Sequence, residues 1–284
     1  MARRARLDAE LVRRNLARSR GEARELVDAG SVYVDGQRAA KVASQIDPAQ
    51  AIEVRQEGPS WVSRGAHKLL GALETLGARS PQIEGVRALD AGASTGGFTQ
   101  VLLSKGAAHV IAVDVGYGQL AWQLQQDPRV QVVDRTNVRT LTPEQIRATD
   151  EYGNELAPPT LVVADLSFIS LTMVLDALVT CAAEDANYLL MVKPQFEVGK
   201  DRLGAGGVVR EPELHVETVE TVCAAAEERG LRTWAVAASP LPGPAGNVEY
   251  FVALSRSHPD TLEPDARSDA IARAVAEGPA GGAL

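Results

Sequence analysis

From Val86 onward the sequence alternates short apolar segments with amphipathic ones, and this alternation restricts the fold more than any other feature. Five apolar segments are separated by stretches with helical spacing, and a helix near residues 211–229 and two further strands follow them. Apolar strands joined by helices are typical of a parallel sheet with helices on both faces. The sequence therefore predicts an α/β fold with a doubly wound, mostly parallel sheet and an antiparallel final strand.

A different pattern occupies the first 55 residues. Helices are predicted at 7–16 and 19–29, the second capped by Ser19, followed by a strand, an Asp35-Gly36 turn and a strand at 51–54. This is a small α+β domain. The expected division is a first domain at 1–55, a linker at 56–63, the α/β domain at 64–258, and a tail at 259–284 that forms a weak helix and frayed end rather than core.

Charge is distributed unevenly along the chain. The net charge of −8 by itself argues against a nucleic-acid partner. Residues 1–24, however, hold eight arginines and three acidic residues, so they carry +5 and the other 260 residues carry −13. A polyanion-binding module on an acidic protein would show this asymmetry, although the same arginines could be an ordinary solvated helical face.

The motifs Arg-Leu-Asp, Ser-Arg and Gly-x-Val-x-Val-Asp-Gly in this region resemble the S4 RNA-binding domain. The resemblance implies that a rigid row of guanidinium groups faces structured RNA and binds phosphates, which positions RNA but reads little of its sequence. The implied RNA-binding residues are Arg4, Arg6, Arg18, Arg20 and Arg24.

Several classes of protein are disfavoured. No apolar run of about 20 residues could span a bilayer, and the N-terminus lacks the apolar core of a secretory signal. Cys181 and Cys223 have neither CxxC nor metal-site spacing. We therefore expect a cytoplasmic, monomeric protein with no disulfide, no bound metal and no membrane partner.

The turn at residues 90–98, after the first strand of the α/β domain, is the candidate cofactor site. Ligands of such sheets bind at the carboxyl ends of the strands. The turn has neither GxGxxG spacing nor the Gly-Lys-Ser/Thr of a phosphate loop. Asp90 would repel pyrophosphate but attract an ammonium group, and Asp114, at the end of the next strand, suits a ribose diol. An ordinary glycine turn with capping residues is the alternative.

The Asp-x-Gly-x-x-x-Gly loop, with an acid ending the next strand, resembles motif I of the S-adenosylmethionine-dependent methyltransferases. The resemblance implies a Rossmann-like sheet with S-adenosylmethionine as the cofactor. Asp90 would lie near its aminoacyl end and Asp134 near its adenine, while the glycines would let the backbone approach it. The implied cofactor-binding residues are Asp90, Gly92, Ser94, Thr95, Gly96, Gly97, Phe98, Asp114 and Asp134.

Residues at the other strand ends distinguish between the atoms that such an enzyme could methylate. The fourth strand ends in Ala-Asp-Leu-Ser-Phe, without the Pro-Pro turn usual in N-methylation of exocyclic amines. Methylation at pyrimidine C5 needs a cysteine nucleophile, but Cys181 lies in an apolar helix, where core packing explains it. A sugar 2′-hydroxyl needs a strong base or a cation beside the forming alkoxide. Lys193, at the end of the fifth strand, is placed for that role.

Four charged residues are expected to meet near Lys193. Asp165 ends the neighbouring strand, Glu249 stands at the start of the last strand, and Lys68 lies one turn into a helix predicted from residue 64. Alternating charges would hold the two ammonium groups in place. Lys68, Asp165, Lys193 and Glu249 resemble the Lys-Asp-Lys-Glu tetrad of the FtsJ-like ribose 2′-O-methyltransferases.

This tetrad together with an S4 domain resembles the TlyA family, often labelled haemolysin A, and phrases such as WVSRGAHKL, LDAGASTGGFT and VVADLSFISL extend the resemblance over nearly the whole chain. It implies methylation of cytidine 2′-oxygens in 23S and, because the arginine-rich arm is intact, also 16S ribosomal RNA. By this resemblance Lys193 would act on the 2′-hydroxyl, Asp165 would hold Lys193, and the other two would orient the ribose. The insertion at 151–159 is expected to form a surface loop on the far edge.

Some interpretations stay open at this stage. His67 is expected on a helix surface, whereas Phe196 could stack on a nucleobase or pack beneath its loop. The glycine-rich basic segment 197–210 could close over RNA or be an ordinary loop. A ribosome-assembly factor with a non-catalytic cofactor site is the alternative function. A membrane-lytic protein, as the older family label suggests, would need an amphipathic or spanning segment, and none is visible.

Overall fold

The structure is a computed structural model that describes residues 4–17, 19–28, 30–55, 60–150, 152–243 and 245–278. The chain forms two compact units, Met1–Ser60 and Trp61–Leu284. The elements of the first unit are β1 (Ala5–Arg6), α1 (Leu7–Arg13), α2 (Arg20–Asp28), β2 (Val32–Val34), β3 (Gln37–Arg38), β4 (Gln45–Ile46) and β5 (Ile52–Val54).

The first unit packs its two helices around a small core of its own. Leu7 and Leu11 of α1 and Ala23 and Val27 of α2 are buried, each pair four residues apart on one helix face. β2 lies between β3 and β5, both antiparallel to it, and the predicted turn at residues 35–36 has positive φ at both positions, as a tight hairpin requires. The small α+β domain is confirmed.

Three details of the first unit differ from the sequence-based expectation. The first helix ends at Arg13 because Asn15 adopts a left-handed backbone, with φ of 57°. The second spans Arg20–Asp28 rather than 19–29, although Ser19 caps it as predicted, its hydroxyl accepting a hydrogen bond from the Glu22 N–H at 3.2 Å. The pairing of β1 with β4 was not predicted, because two-residue strands carry no readable periodicity.

The second unit is a seven-stranded α/β sheet covered by helices. Its elements are α3 (Gly65–Leu76), β6 (Arg87–Ala91), α4 (Gly97–Ser104), β7 (His109–Val113), α5 (Trp122–Gln125), β8 (Val130–Val133), β9 (Leu161–Ala164), α6 (Leu175–Cys181), β10 (Asn187–Val192), α7 (Pro194–Glu197), α8 (Pro212–Glu227), β11 (Arg232–Ala238), β12 (Tyr250–Ser255) and α9 (Pro264–Glu277).

The strand order is β11-β12-β10-β9-β6-β7-β8, and β12 runs antiparallel to both of its neighbours. The remaining pairs are parallel, so the predicted mostly parallel sheet with an antiparallel last strand is confirmed. The order reverses at β6, which lies between β9 and β7. The carboxyl ends of β6, β7, β9 and β10 and the amino end of β12 therefore meet on one edge, here called the site edge.

Both faces of this sheet are buried. The helix α3 covers one face with Leu69, Ala72 and Leu76, whose spacing of three and four residues forms an apolar stripe. Cys181 and Cys223 lie buried and free in the core on the other face, as predicted. Before α6 the chain forms a 3₁₀ turn at Leu171–Met173.

The ends of the second unit depart from the expected boundaries. Trp61 and Val62 pack against its core, and the Val62 N–H donates to Gln100 Oε1 at 2.8 Å, so the unit includes residues placed in the predicted linker. The predicted tail contains α9, which buries Ile271 and Val275 in the core. A helix in the tail was predicted correctly, but the expectation that it lies outside the core was wrong. Only three of its residues are apolar and buried, so the sequence gives a faint signal of this packing.

The insertion lies where the sequence placed it. Tyr152 is 82% exposed, and the segment meets the sheet beside Arg87, at the amino end of β6, whose guanidinium donates to the Ala157 carbonyl at 2.8 Å. This is the edge opposite the site edge.

We predict that α9 contributes to the stability of the second unit. Ile271→Ala should lower the free energy of unfolding by about 2–4 kcal/mol, because it opens a cavity in the core. Arg273→Ala, an exposed position of the same helix, should change it by less than about 0.5 kcal/mol. Denaturant unfolding of the full chain measures both. Equal stabilities of the wild type and the Ile271 variant would contradict this role.

Candidate active site

The structure brings the four tetrad residues together at the site edge as two ion pairs. Lys193 Nζ lies 2.5 Å from Asp165 Oδ1, and Lys68 Nζ lies 2.5 Å from Glu249 Oε2. The strand arrangement brings three of these residues together, because β9, β10 and β12 are neighbours in the sheet. Val192 pairs with Tyr250, which sets Lys193 beside Glu249 in register.

Both ammonium groups are largely withdrawn from water. The side chains of Lys68 and Lys193 are each 8% exposed, and that of Glu249 is 1% exposed. Burying an unpaired charge costs several kcal/mol, so each lysine depends on its carboxylate. Lys68 is held there because α3 packs Ala66 and Leu69 into the core on either side of it.

Sequence reasoning missed several residues that surround these pairs. Ser167 Oγ accepts a hydrogen bond from Lys193 Nζ at 3.0 Å. Gln195 Nε2 makes a long contact of 3.5 Å to Glu249 Oε1, and a Cβ at Gly243 would lie 2.8 Å from that same oxygen. Ser167 follows the acid of the fourth strand by two residues, which is the one signal that could have drawn attention to it.

The loop after β6 has the tight backbone expected of a cofactor site, but its glycines serve protein contacts. A Cβ at Gly92 would lie 2.8 Å from the Asp165 carbonyl oxygen, and one at Gly97 would lie 2.8 Å from the Ala66 nitrogen. Gly96 has φ of 97°, which favours glycine. These glycines let the loop lie against the segments that carry Asp165 and Lys68.

The predicted acids at the ends of the next two strands bind backbone amides. Asp114 accepts hydrogen bonds from the Ser94 N–H at 2.8 Å and the Gly116 N–H at 2.7 Å. Asp134 accepts one from the Gly118 N–H at 2.8 Å. Ser94 is exposed and Thr95 partly exposed in the same loop. Asp114 therefore joins the loop after β6 to the loop after β7.

Phe98 is better explained by packing than by the predicted cofactor contact. Its side chain is buried and its ring stacks on Phe251 with centroids 6.0 Å apart. The apolar residue at this position completes the core between α4 and β12. The cofactor role that the resemblance implies for Phe98 rests on its place beside the loop and stays a prediction.

Asp90 is fully buried at the end of β6, and one of its oxygens lacks a partner. Its Oδ2 accepts a hydrogen bond from Thr99 Oγ1 at 2.6 Å, whereas Oδ1 has no hydrogen-bond partner among the residues that the structure describes. Burial raises the pKa of Asp90 to about 7. An unpartnered buried carboxylate oxygen at the switch point of the sheet fits the ammonium group at the amino-acid end of S-adenosylmethionine.

The thiols are excluded as nucleophiles. Burial raises the pKa of Cys181 to about 11 and that of Cys223 also to about 11, so neither forms a thiolate at neutral pH. Within the described part of the chain, no cluster of three or more acidic, histidine or cysteine residues could hold a metal ion.

Two aromatic side chains, one exposed and one partly buried, follow the residues of the Lys193–Asp165 ion pair. Phe168, three residues after Asp165, is 91% exposed, and its ring contacts that of Phe196 with centroids 5.2 Å apart. His67 is exposed, as expected.

The glycine-rich basic segment 197–210 is anchored at its end, where Asn247 Oδ1 accepts a hydrogen bond from the Val209 N–H at 3.0 Å.

In the first unit, buried acids organise part of the arginine row. Asp8 accepts two hydrogen bonds of 3.0 Å from Arg6, and Glu10 binds both Arg13 and Arg14. Hydrogen bonds from these arginines lower the pKa of Glu10 to about 2. Among the predicted RNA-binding residues, Arg4, Arg20 and Arg24 are exposed, Arg6 is partly used by Asp8, and Arg18 lies outside the described residues.

Each of the two units matches the model of a known protein family. The FtsJ-like methyltransferase family model matches residues 61–256, and the S4 domain model matches residues 5–52. The 16S/23S rRNA (cytidine-2′-O)-methyltransferase TlyA of Mycobacterium tuberculosis strain H37Rv is 55% identical over 280 residues, which cover 98% of this chain and 100% of that protein. The 23S rRNA (cytidine-2′-O)-methyltransferase TlyA of Campylobacter jejuni is 33% identical, over 67% of this chain and 69% of its own.

A solved structure shares the whole architecture. A Streptococcus thermophilus protein described as a hemolysin superposes with a TM-score of 0.71 at 34% identity, covering 96% of each chain. In the part of this chain that the structure describes, no helix has the length and apolar character needed to cross a membrane.

The buried Asp90 predicts a pH dependence of stability. Because its pKa rises from an ordinary 3.8 to about 7 on folding, the native state holds this proton more tightly, and stability from this group falls as pH rises from about 4 to about 7. Asp90→Asn should remove that loss, so its stability relative to the wild type should increase by about 2 kcal/mol between pH 5 and pH 8.

Denaturant unfolding of both proteins at the two pH values checks this expectation. Asp260→Asn, at an exposed site, should follow the wild type at both pH values. The assignment is contradicted if the stability difference between Asp90→Asn and the wild type is the same at pH 5 and pH 8.

Proposed function

We propose, from the premise that the chain belongs to the FtsJ-like methyltransferase family and within it to the TlyA group, that it transfers a methyl group from S-adenosylmethionine to the 2′-oxygen of cytidines in 16S and 23S ribosomal RNA. The observation that carries the proposal is the pairing of Lys193 with Asp165 beside that of Lys68 with Glu249. Two buried ammonium groups at the end of a methyltransferase sheet suit a reaction that creates negative charge on a sugar oxygen.

Lys193 is the group that would act on the 2′-hydroxyl. The Lys193 ammonium forms an ion pair with Asp165 and donates one hydrogen bond, to Ser167 Oγ. Because an ammonium group has three N–H bonds, it can also donate to the 2′-oxygen of the ribose. The positive charge of Lys193 would stabilise the negative charge that develops on the 2′-oxygen as its proton passes to solvent water and the oxygen takes up the methyl group. The low exposure of the site strengthens this interaction.

Asp165 and Ser167 hold the Lys193 ammonium in one orientation, so that little reorganisation is needed when the reaction occurs. The Lys68–Glu249 pair lies next to it in register and offers both a donor and an acceptor. Each ribose hydroxyl can both donate and accept a hydrogen bond, and we assign to this pair the orientation of the sugar.

S-adenosylmethionine, when bound, supplies an electrophilic methyl group on a sulfonium. The residues that would hold it are those of the loops after β6 and β7, with Asp90 toward its amino-acid end. The oxygens of Asp114 are already engaged by backbone amides. Asp114 would therefore share its acceptors between the loop and the ribose of the cofactor. Asp134, which binds the Gly118 N–H, would shape the adenine end.

RNA is bound, in this proposal, by two kinds of surface. The exposed arginines of the first unit supply phosphate contacts, which give affinity without reading sequence. At the site edge, the exposed Phe168 ring with Phe196 beneath it offers a stacking surface for a nucleobase near Lys193. We further propose that the enzyme works as a single chain, since all four tetrad residues come from one chain, and that it works in the cytoplasm, because its proposed substrate is ribosomal RNA.

Lys193→Ala should reduce methyl transfer to ribosomal RNA by about 100-fold or more, because the forming alkoxide loses its cation. Its affinity for RNA should stay within about twofold of the wild type. Transfer of labelled methyl groups and filter binding measure the two properties, with Lys105→Ala, an exposed lysine, as the control that retains both. Normal methylation by Lys193→Ala would refute its role, whereas an inactive wild type that binds RNA would favour an assembly factor.

Removal of Arg20 or Arg24 should weaken RNA binding and its dependence on salt. Each lost phosphate contact should lower the slope of log affinity against log salt by roughly 0.7–0.9. Arg55→Ala is the matched control in the same unit, because the guanidinium of Arg55 is occupied by Glu53 and lies over Tyr33. Equal slopes for the wild type and for both helix variants would contradict the assignment of this surface to RNA.

A further inference from the structure

The segments that follow β9 and β10 carry the catalytic ion pair and lie side by side. Residues 165–171 contain Asp165 and Ser167, and residues 193–197 contain Lys193 and the short helix α7. Near the sheet the segments are joined by the contacts of Lys193 with Asp165 and Ser167. Beyond Ser167, Phe168 is exposed and residues 169–170 are partly exposed, so the course of the segment depends on the contacts at its far end.

Glu197, the last residue of α7, joins the far ends of these two segments. Its Oε2 accepts a hydrogen bond from Ser170 Oγ at 2.5 Å, and its Oε1 accepts one from the Leu171 N–H at 2.8 Å. The bond from Ser170 joins residues 27 positions apart in the sequence, and the bond from Leu171 joins residues 26 positions apart. Burial raises the pKa of Glu197, and these two hydrogen bonds oppose that rise.

The bridged segment needs such a restraint. Phe168, midway between Asp165 and Ser170, has φ of 65°, a left-handed conformation that costs free energy for a side chain of this size. Its ring is 91% exposed, so burial of the ring offsets little of that free-energy cost. Leu166 and Ile169 contact the core only in part. Leu171 anchors the end of the segment in the core, and the bonds to Glu197 restrain the stretch between that anchor and Asp165.

We infer that Glu197 is a positioning residue for methyl transfer, which holds residues 165–171 against residues 193–197 and so keeps Asp165 and Ser167 at the Lys193 ammonium. The inference rests on the proposed function. Glu197 touches neither the ammonium nor the substrate in this account, and it acts only through the segment that it fastens. The effect should therefore appear in the chemical step and leave cofactor binding nearly unchanged.

The test compares Glu197→Ala with Glu197→Gln. The alanine variant should lower kcat about 10-fold, with the KM for S-adenosylmethionine within about twofold of the wild type. The glutamine variant should recover kcat to within about threefold, because its amide oxygen can accept from the Leu171 N–H and its amide nitrogen can donate to Ser170 Oγ. Glu213→Ala, an exposed glutamate of α8, is the control and should match the wild type.

A second measurement separates positioning from general stability. Ser170→Ala keeps the bond from the Leu171 N–H and should lower kcat about threefold. Ser167→Ala should lower kcat too, and in the double variant Glu197→Ala/Ser167→Ala the two losses should combine to less than their product, since both act through one ammonium. Thermal unfolding of each variant shows whether it is folded at the assay temperature.

Three results would overturn the inference: an unchanged kcat in folded Glu197→Ala, no recovery in Glu197→Gln, or losses in the double variant that multiply fully. If Glu197→Ala does not fold, the glutamine and Ser170 variants decide the question. A wild-type enzyme that transfers no methyl group would instead refute the proposed function, which distinguishes the two failures.

Discussion

The structure depends on the pairing of two lysines with two carboxylates at one edge of a sheet, largely out of contact with water. Neither ammonium could be buried alone, because its desolvation would cost several kcal/mol. Glu249 could not be buried alone either. The four side chains therefore constrain one another, and the elements that carry them must meet within a few ångströms. Lys193–Asp165 and Lys68–Glu249 are each separated by 2.5 Å.

The topology of the second unit satisfies that constraint. Parallel β9 and β10 bring Asp165 and Lys193 to the same edge, and the reversed direction of β12 brings Glu249 to it from the opposite end of a strand. The remaining lysine arrives on α3, which is fixed by its apolar stripe. The close approach of the glycine loop to the Asp165 carbonyl then sets the candidate cofactor site directly beside the ion pairs.

Sequence reasoning reached the sheet and the tetrad because both have local signals. Fully apolar strands such as β9 stand out, and the rule that strand ends share an edge places Asp165 and Lys193 together. It could not reach Glu197 or Gly243, whose roles depend on contacts between segments distant in sequence. The burial of α9 was missed for the same reason, since weak amphipathicity does not reveal tertiary packing, and the stacking of Phe98 on Phe251 has no signal in the sequence either.

The most direct measurement is the identity of the methylated nucleoside. Ribosomal RNA that lacks these modifications would be incubated with the full chain and labelled S-adenosylmethionine, digested, and resolved by liquid chromatography and mass spectrometry. The account predicts that the label appears in 2′-O-methylcytidine, because the site stabilises charge on a sugar oxygen and has no cysteine nucleophile among its described residues. Label in a base-methylated nucleoside, with none on ribose, would contradict it.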